Sequence, residues 1–202
     1  MAGLFFRAHL ARLMIAISAV PVGLMTTAIS LSGGSAAAAT SCPANAGGPV
    51  EHAVAVADVQ VGGCAGYLVV SASGQVSAFG AATYHGDLTA VHLNAPIVGV
   101  ASTADGGGYY LLGADGGIFS FGDAHFYGST GNVHLDQPVV GMAATSDGGG
   151  YWLVASDGGI FSFGDARFYG STGNVHLDQP VVAMARSGDG RGYDLVASDG
   201  GV

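Results

Sequence analysis

The chain has 202 residues, half of them apolar, with 36 glycines, five arginines, no lysine and a net charge of −9 at pH 7. All 14 acidic residues lie beyond residue 39 against three arginines, Arg167, Arg186 and Arg191, so the chain lacks the basic patch that a nucleic acid or an anionic membrane surface requires. Glu occurs only as Glu51; the other acids are Asp, a residue of turns rather than helices, and the acidity follows from turn chemistry.

Arg7 and Arg12 precede an apolar stretch from Leu13 to Leu31, followed by the small residues Ala36–Ala39. That order predicts a secretory signal peptide over residues 1–39, cleaved after Ala37-Ala38-Ala39. A retained membrane anchor is the alternative, but Pro21 interrupts the run. Ala39-Thr40-Ser41 lacks the usual pattern for a lipid anchor on Cys42. Residues 40–53 form an N-terminal extension. Cys42 within it and Cys64 are the only cysteines, and in an oxidising compartment such a pair is expected as a disulfide.

From residue 54 onward the chain repeats every 42 residues, as Tyr67, Tyr109, Tyr151 and Tyr193 and Gly74, Gly116, Gly158 and Gly200 show. The copies are Val54–Ala95, Pro96–Gln137, Pro138–Gln179 and a truncated Pro180–Val202; the second and third differ at nine positions. A unit of this size cannot bury its apolar face alone and must stack on its neighbours. Turn signals cut the third copy into strands Val139 to Thr145, Tyr151 to Ser156, Ile160 to Phe163 and Arg167 to Ser171, with Asp157-Gly158 supplying the positive φ angles of a tight hairpin.

In the second strand Tyr151, Leu153 and Ala155 point one way and Trp152 and Val154 the other, so it is covered on both faces. The expected fold is all-β, with β-propeller-like blades of four antiparallel strands in an incomplete ring of about three and a half blades, an open stack of small sheets being the alternative. Propellers close with about four to eight blades, so a fragment of a longer protein is expected. An oligomer is expected only if the chain is complete.

The strings GGGYWLVASDGGIFSFGDARFYGSTG and GGGYYLLGADGGIFSFGDAHFYGSTG resemble tandem repeats of secreted actinobacterial proteins. Such repeats occur alone or beside peptidase, amidase or esterase domains. The resemblance implies an extracellular propeller module, and it carries over no catalytic residue.

His92, His134 and His176 recur with the period, each two residues before Asn94, Asp136 or Asp178. Equivalent positions on neighbouring blades lie too far apart to share an ion at the roughly 2 Å that zinc requires, so the histidines are read as loop hydrogen-bonders. Ser129 and Ser171 sit in GSTG, which is not a nucleophile elbow. Asp105, Asp147 and Asp189 with Asp123 and Asp165 are expected on one rim, and Asp115, Asp157 and Asp199 on the other. They could contribute to the about six to eight oxygens that calcium needs, but the DxDxDG loop is absent and no cofactor is expected. Tyr127, Tyr169, Tyr110 and Trp152 are the binding candidates, since Tyr and Trp join apolar area to a polar tip; packing inside the blades is the alternative, and the favoured one for Tyr151 and Trp152. The expected function is a secreted non-catalytic module for a cell-wall polysaccharide or an extracellular protein. The alternatives are an accessory domain of a hydrolase and a surface spacer.

Overall fold

The computed structural model describes residues 42–202; the predicted signal peptide lies outside them. The described chain is all-β, with strands β1 (Asn45–Ala46), β2 (Ala53–Val61), β3 (Cys64–Ser71), β4 (Val76–Gly80), β5 (Ile97–Ser102), β6 (Gly108–Gly113), β7 (Ile118–Gly122), β8 (Val139–Ala144), β9 (Gly150–Ala155), β10 (Ile160–Gly164), β11 (Val181–Arg186) and β12 (Tyr193–Ala197). Each copy makes one antiparallel sheet: β1-β4-β3-β2, then β5-β6-β7, β8-β9-β10 and β11-β12. These are propeller-type blades, and they do not close a ring. A β-bulge recurs at the start of each blade's first strand, between Ala53 and Ala55, Ile97 and Gly99, Val139 and Gly141, and Val181 and Ala183. The bulge increases the local twist of the strand that enters the blade.

The middle strands β6 and β9 are buried at every position. Their alternate side chains serve two interfaces. Tyr109 and Leu111 join the core of the first copy, whereas Tyr110 and Leu112 pack with Tyr151 and Leu153 of the third. Trp152 turns the other way, toward Met184 and Tyr193 of the fourth copy. The cohesion of the stack is therefore hydrophobic burial between blades, and no copy holds a complete core of its own.

The blades differ from the expected pattern at their outer edge. No fourth strand forms over residues 167–171 or at its equivalent in the second copy. The segment becomes a strap whose polar backbone groups bond outside any ladder. Tyr127 N–H and Gly128 C=O meet the Tyr151 hydroxyl of the next copy, and Thr130 N–H donates to Gly116 C=O. In the first blade, β1 of the N-terminal extension occupies the outer edge instead, pairing Asn45 with Gly80 and Ala46 with Phe79. Cys42 and Cys64 are bonded, with their Cα atoms 5.4 Å apart, and this fixes the extension to the start of β3.

The hairpin between β9 and β10 also differs from the expected tight turn. Gly158 N–H donates to Ala155 C=O and Ala155 N–H to Gly159 C=O. Gly158 alone in this loop has positive φ, at 78°, and the Asp157 carboxylate accepts Gly159 N–H at 2.8 Å. This is a three-residue loop with a left-handed glycine at its end, which leaves room for the strap to cross above it.

Candidate functional site

The loops that connect one blade to the next build the same shallow pocket more than once. After the strap, Val133 N–H donates to Thr130 C=O, and the chain then runs through Val133-His134-Leu135-Asp136 to Pro138. Val139 N–H donates to Ala114 C=O, and Ser156 N–H to Pro138 C=O, so the loop is tied to the hairpins of the blades before and after it. The same bonds recur from Ile97 to Ala72 and from Val181 to Ser156, with Ala114 to Pro96 and Ser198 to Pro180. The repeated backbone ties leave the Val and His side chains of each loop exposed: Val91 and His92, Val133 and His134, Val175 and His176.

In the first copy, Ser73, Thr89, Val91, His92, Asn94 and Pro96 line an open pocket of about 370 Å³. In the third, Gln137, Asp157, Val175, His176, Asp178 and Pro180 line one of about 320 Å³. Five of these positions correspond two repeat periods apart: Ser73 and Asp157, Val91 and Val175, His92 and His176, Asn94 and Asp178, Pro96 and Pro180. The three histidines were expected to hydrogen-bond their loops. Among the described residues they make no side-chain hydrogen bond and stand free in the pockets or at the equivalent middle position. Periodicity was the signal for these positions, but a recurring residue in a stacked repeat is equally demanded by packing, and only exposure separates the two.

The four aromatic candidates fare differently. Tyr110 and Trp152 are each 2% exposed. Tyr110 donates its hydroxyl to His125 C=O at 3.1 Å, and Trp152 donates Nε1–H to Arg167 C=O at 2.7 Å, so both belong to the blade interior and are closed to a ligand. Burial pushes the Tyr110 phenol up to about 12. Tyr127 is half-buried, donates to Gly148 C=O at 2.8 Å and lies edge-on to Tyr151. Tyr169 remains accessible beside Trp152 and Tyr193. The adjacent position in each strap carries the more open aromatic: Tyr84, Phe126 and Phe168 are 54, 51 and 60% exposed.

The recurrent Asp and Ser residues serve as turn parts. Asp105 accepts Gly107 N–H and the Thr103 hydroxyl, and these bonds hold its carboxyl below the usual range. The Thr145 hydroxyl and Gly149 N–H do the same for Asp147, and Arg191 N–H and the Ser187 hydroxyl for Asp189. The Thr103 hydroxyl also reaches Asp123, which puts Asp105 and Asp123 at one end of the blade. Asp115 at the opposite hairpin accepts Gly117 N–H. Ser171 donates to Gly158 C=O and accepts Gly173 N–H, the bonding of a loop residue. Among the described residues no three His, Cys, Asp or Glu side chains converge on a point.

The blades and the repeated connecting loops define an all-β repeat protein of the propeller type. No family model matches the chain, and no curated protein matches it. Among solved structures it is similar to BBS1N in complex with ARL6DN, at 14% identity and TM-score 0.45, over 75% of this chain and 50% of that one. It is similar also to the β-propeller domain of Cps50 (Swd1) from Myceliophteria thermophila, at 11% identity and TM-score 0.46, over 75% and 51%. A third likeness is to a structural genomics protein of unknown function from Bacteroides thetaiotaomicron, at 12% identity and TM-score 0.44, over 71% and 44%. The chain spans about half the length of these structures or less.

Proposed function

We propose that this protein is a secreted, non-catalytic binding module that presents the connecting-loop rim to an extracellular partner. One observation carries the reading: the same pocket, with an exposed Val-His pair, recurs at Val91-His92 and Val175-His176 on equivalent loops. Ser171, Asp105, Asp115, Asp147 and Asp189 are engaged in turns, which favours recognition over catalysis. Loops tied at both ends by backbone bonds need little ordering on binding, and that lowers the cost of association. Joined to a hydrolase, the module would act in the same way, by holding the catalytic domain on its polymer.

The test is retention of the protein on purified bacterial cell walls together with the culture's secreted proteins. The protein is expected in the bound fraction, and a variant carrying Val91→Ser, His92→Ala, Val175→Ser and His176→Ala is expected to be lost from it. Retention unchanged in that variant removes the rim as the binding surface.

A further inference from the structure

We infer that the rim pockets are equivalent subsites for a neutral, hydroxyl-rich polymer, one repeating unit of the polymer meeting one copy of the loop. The inference rests on the binding reading above and names the class of its partner.

Charge decides the class. The pockets of the first and third copies are similar in volume and keep their Val, His and Pro, but Ser73 and Asn94 in one stand where Asp157 and Asp178 stand in the other. A ligand accepted by both cannot depend on a carboxylate, which sets aside a polycation. No Lys or Arg lines either pocket, and the third copy's two carboxylates repel a polyanion. What both pockets share is a small apolar side chain beside groups that donate and accept. His92 and His176 offer ring nitrogens, Asn94 an amide and Asp178 an acceptor. A sugar ring has the matching surface, with C–H faces for the valine and hydroxyls that donate and accept for the polar groups.

The recurrence decides between a polymer and a folded protein. A folded partner presents a different surface at each blade and gains nothing from equivalent pockets. A chain of repeating units gains from each, because once one unit is bound the next binds at high effective concentration, with an avidity on the order of a hundredfold or more. The middle loop, with Val133, His134 and Asp136, supplies the same groups between the two pockets.

The experiment measures binding of the full chain to dextran, xylan, β-1,3-glucan and chitin oligomers, with polygalacturonate, polylysine and the secreted-protein fraction as competing classes. At least one neutral polysaccharide is expected to bind, with little effect of sodium chloride, and its monosaccharide on the order of a hundredfold more weakly. His92→Ala with His176→Ala is expected to weaken polymer binding roughly tenfold or more at an unchanged unfolding midpoint, as is Val91→Ser with Val175→Ser. Binding to polygalacturonate or polylysine alone, a steep salt dependence, or equal affinity for monosaccharide and polymer would overturn the inference. Retention on cell walls or on a secreted protein through the rim, with no neutral polysaccharide bound, overturns the inference and leaves the binding function standing. Wall retention that survives the rim changes removes the rim as the binding surface and overturns both readings of it.

Discussion

The Tyr151 hydroxyl closes on the strap of the preceding copy, donating to Gly128 C=O at 2.6 Å and accepting Tyr127 N–H at 3.1 Å. Tyr109 does the same to Gly86 and His85, and Tyr193 to Gly170 and Tyr169. One phenol thus satisfies two backbone groups that a fourth strand would otherwise have paired, and it joins consecutive blades. Tyr67 occupies the same position in the first copy, where it is half-exposed and stacks on Phe79 without such a clasp.

Tyr151→Phe removes the clasp and leaves a carbonyl and an N–H without their partner. The expected cost is about 1–3 kcal/mol, that of unsatisfied buried polar groups. Tyr67→Phe is expected to change stability by less than about 0.5 kcal/mol, as at an open position. Urea unfolding of both variants checks the contrast, and equal costs would show that the clasp does not hold the blades.

The same tyrosines set the alkaline limit. Burial raises the phenols of Tyr109, Tyr151 and Tyr193 above 10 and that of Tyr110 to about 12. A raised folded pKa means that the folded chain keeps its proton where the unfolded chain has lost it. The stabilisation is therefore complete below pH 10 and declines as pH rises toward 12. Asp105, Asp147 and Asp189 act in the opposite sense. Their lowered carboxyls contribute above 3.8, and the contribution is lost as pH falls further through the folded values. Unfolding midpoints measured across pH should form a plateau with these two limits, and a midpoint that rises between pH 10 and 12 would contradict the assignment.

Periodicity made the blade legible. The 42-residue step located β8, β9 and β10 to within a residue or two, and the two-faced apolar run Tyr151–Ala155 marked the middle strand. What the pattern could not show was the partner of each backbone group. Arg167–Ser171 has the apolar content of a short strand, but a tyrosine of the next copy takes its polar atoms and no ladder forms. Two of the aromatic candidates, Tyr110 and Trp152, are enclosed for a related reason. Both rings of the Tyr151-Trp152 pair are buried, one on each face of β9, whereas Phe126 and Phe168 face outward from their straps, and sequence alone does not tell the two kinds of pair apart. The exposed Val-His pairs read as ordinary loop, because exposure is a property of the stack and not of the unit.

Gly158 and Gly148 share a left-handed backbone, with φ of 78° and 74°, and differ in what surrounds them. A Cβ on Gly158 would run into the Thr172 hydroxyl, whereas one on Gly148 meets nothing within 4 Å. Gly148→Ala is therefore expected to cost about 1–2 kcal/mol, the strain of the left-handed region alone. Gly158→Ala should exceed this by about 1 kcal/mol or more, because the strap that crosses the hairpin has to move. Thermal unfolding compares the two, and Gly158→Ala with Thr172→Ser, which keeps the hydroxyl in place, should show no rescue.

The Cys42–Cys64 bond supports a first blade that has no preceding copy to supply a strap. The N-terminal extension takes that place: β1 pairs with β4, Asn45 donates its side-chain N–H to Ala82 C=O at 2.7 Å, and Gly47 sits so close to the Phe79 ring that a Cβ there would meet it at 2.6 Å. Few apolar side chains hold this segment, since residues 43–49 are exposed. The disulfide, spanning 22 residues, is thus the main constraint on it. In the chain-entropy account, closing a loop of that length contributes about 3 kcal/mol. Cys42→Ser with Cys64→Ser is expected to lower stability by up to that amount and to release β1. Amide exchange should then accelerate at Phe79 and Gly80 in β4 while the middle strand β9 stays protected. Equal acceleration in β4 and β9 would mean that the bond stabilises the whole stack and not the edge of its first blade.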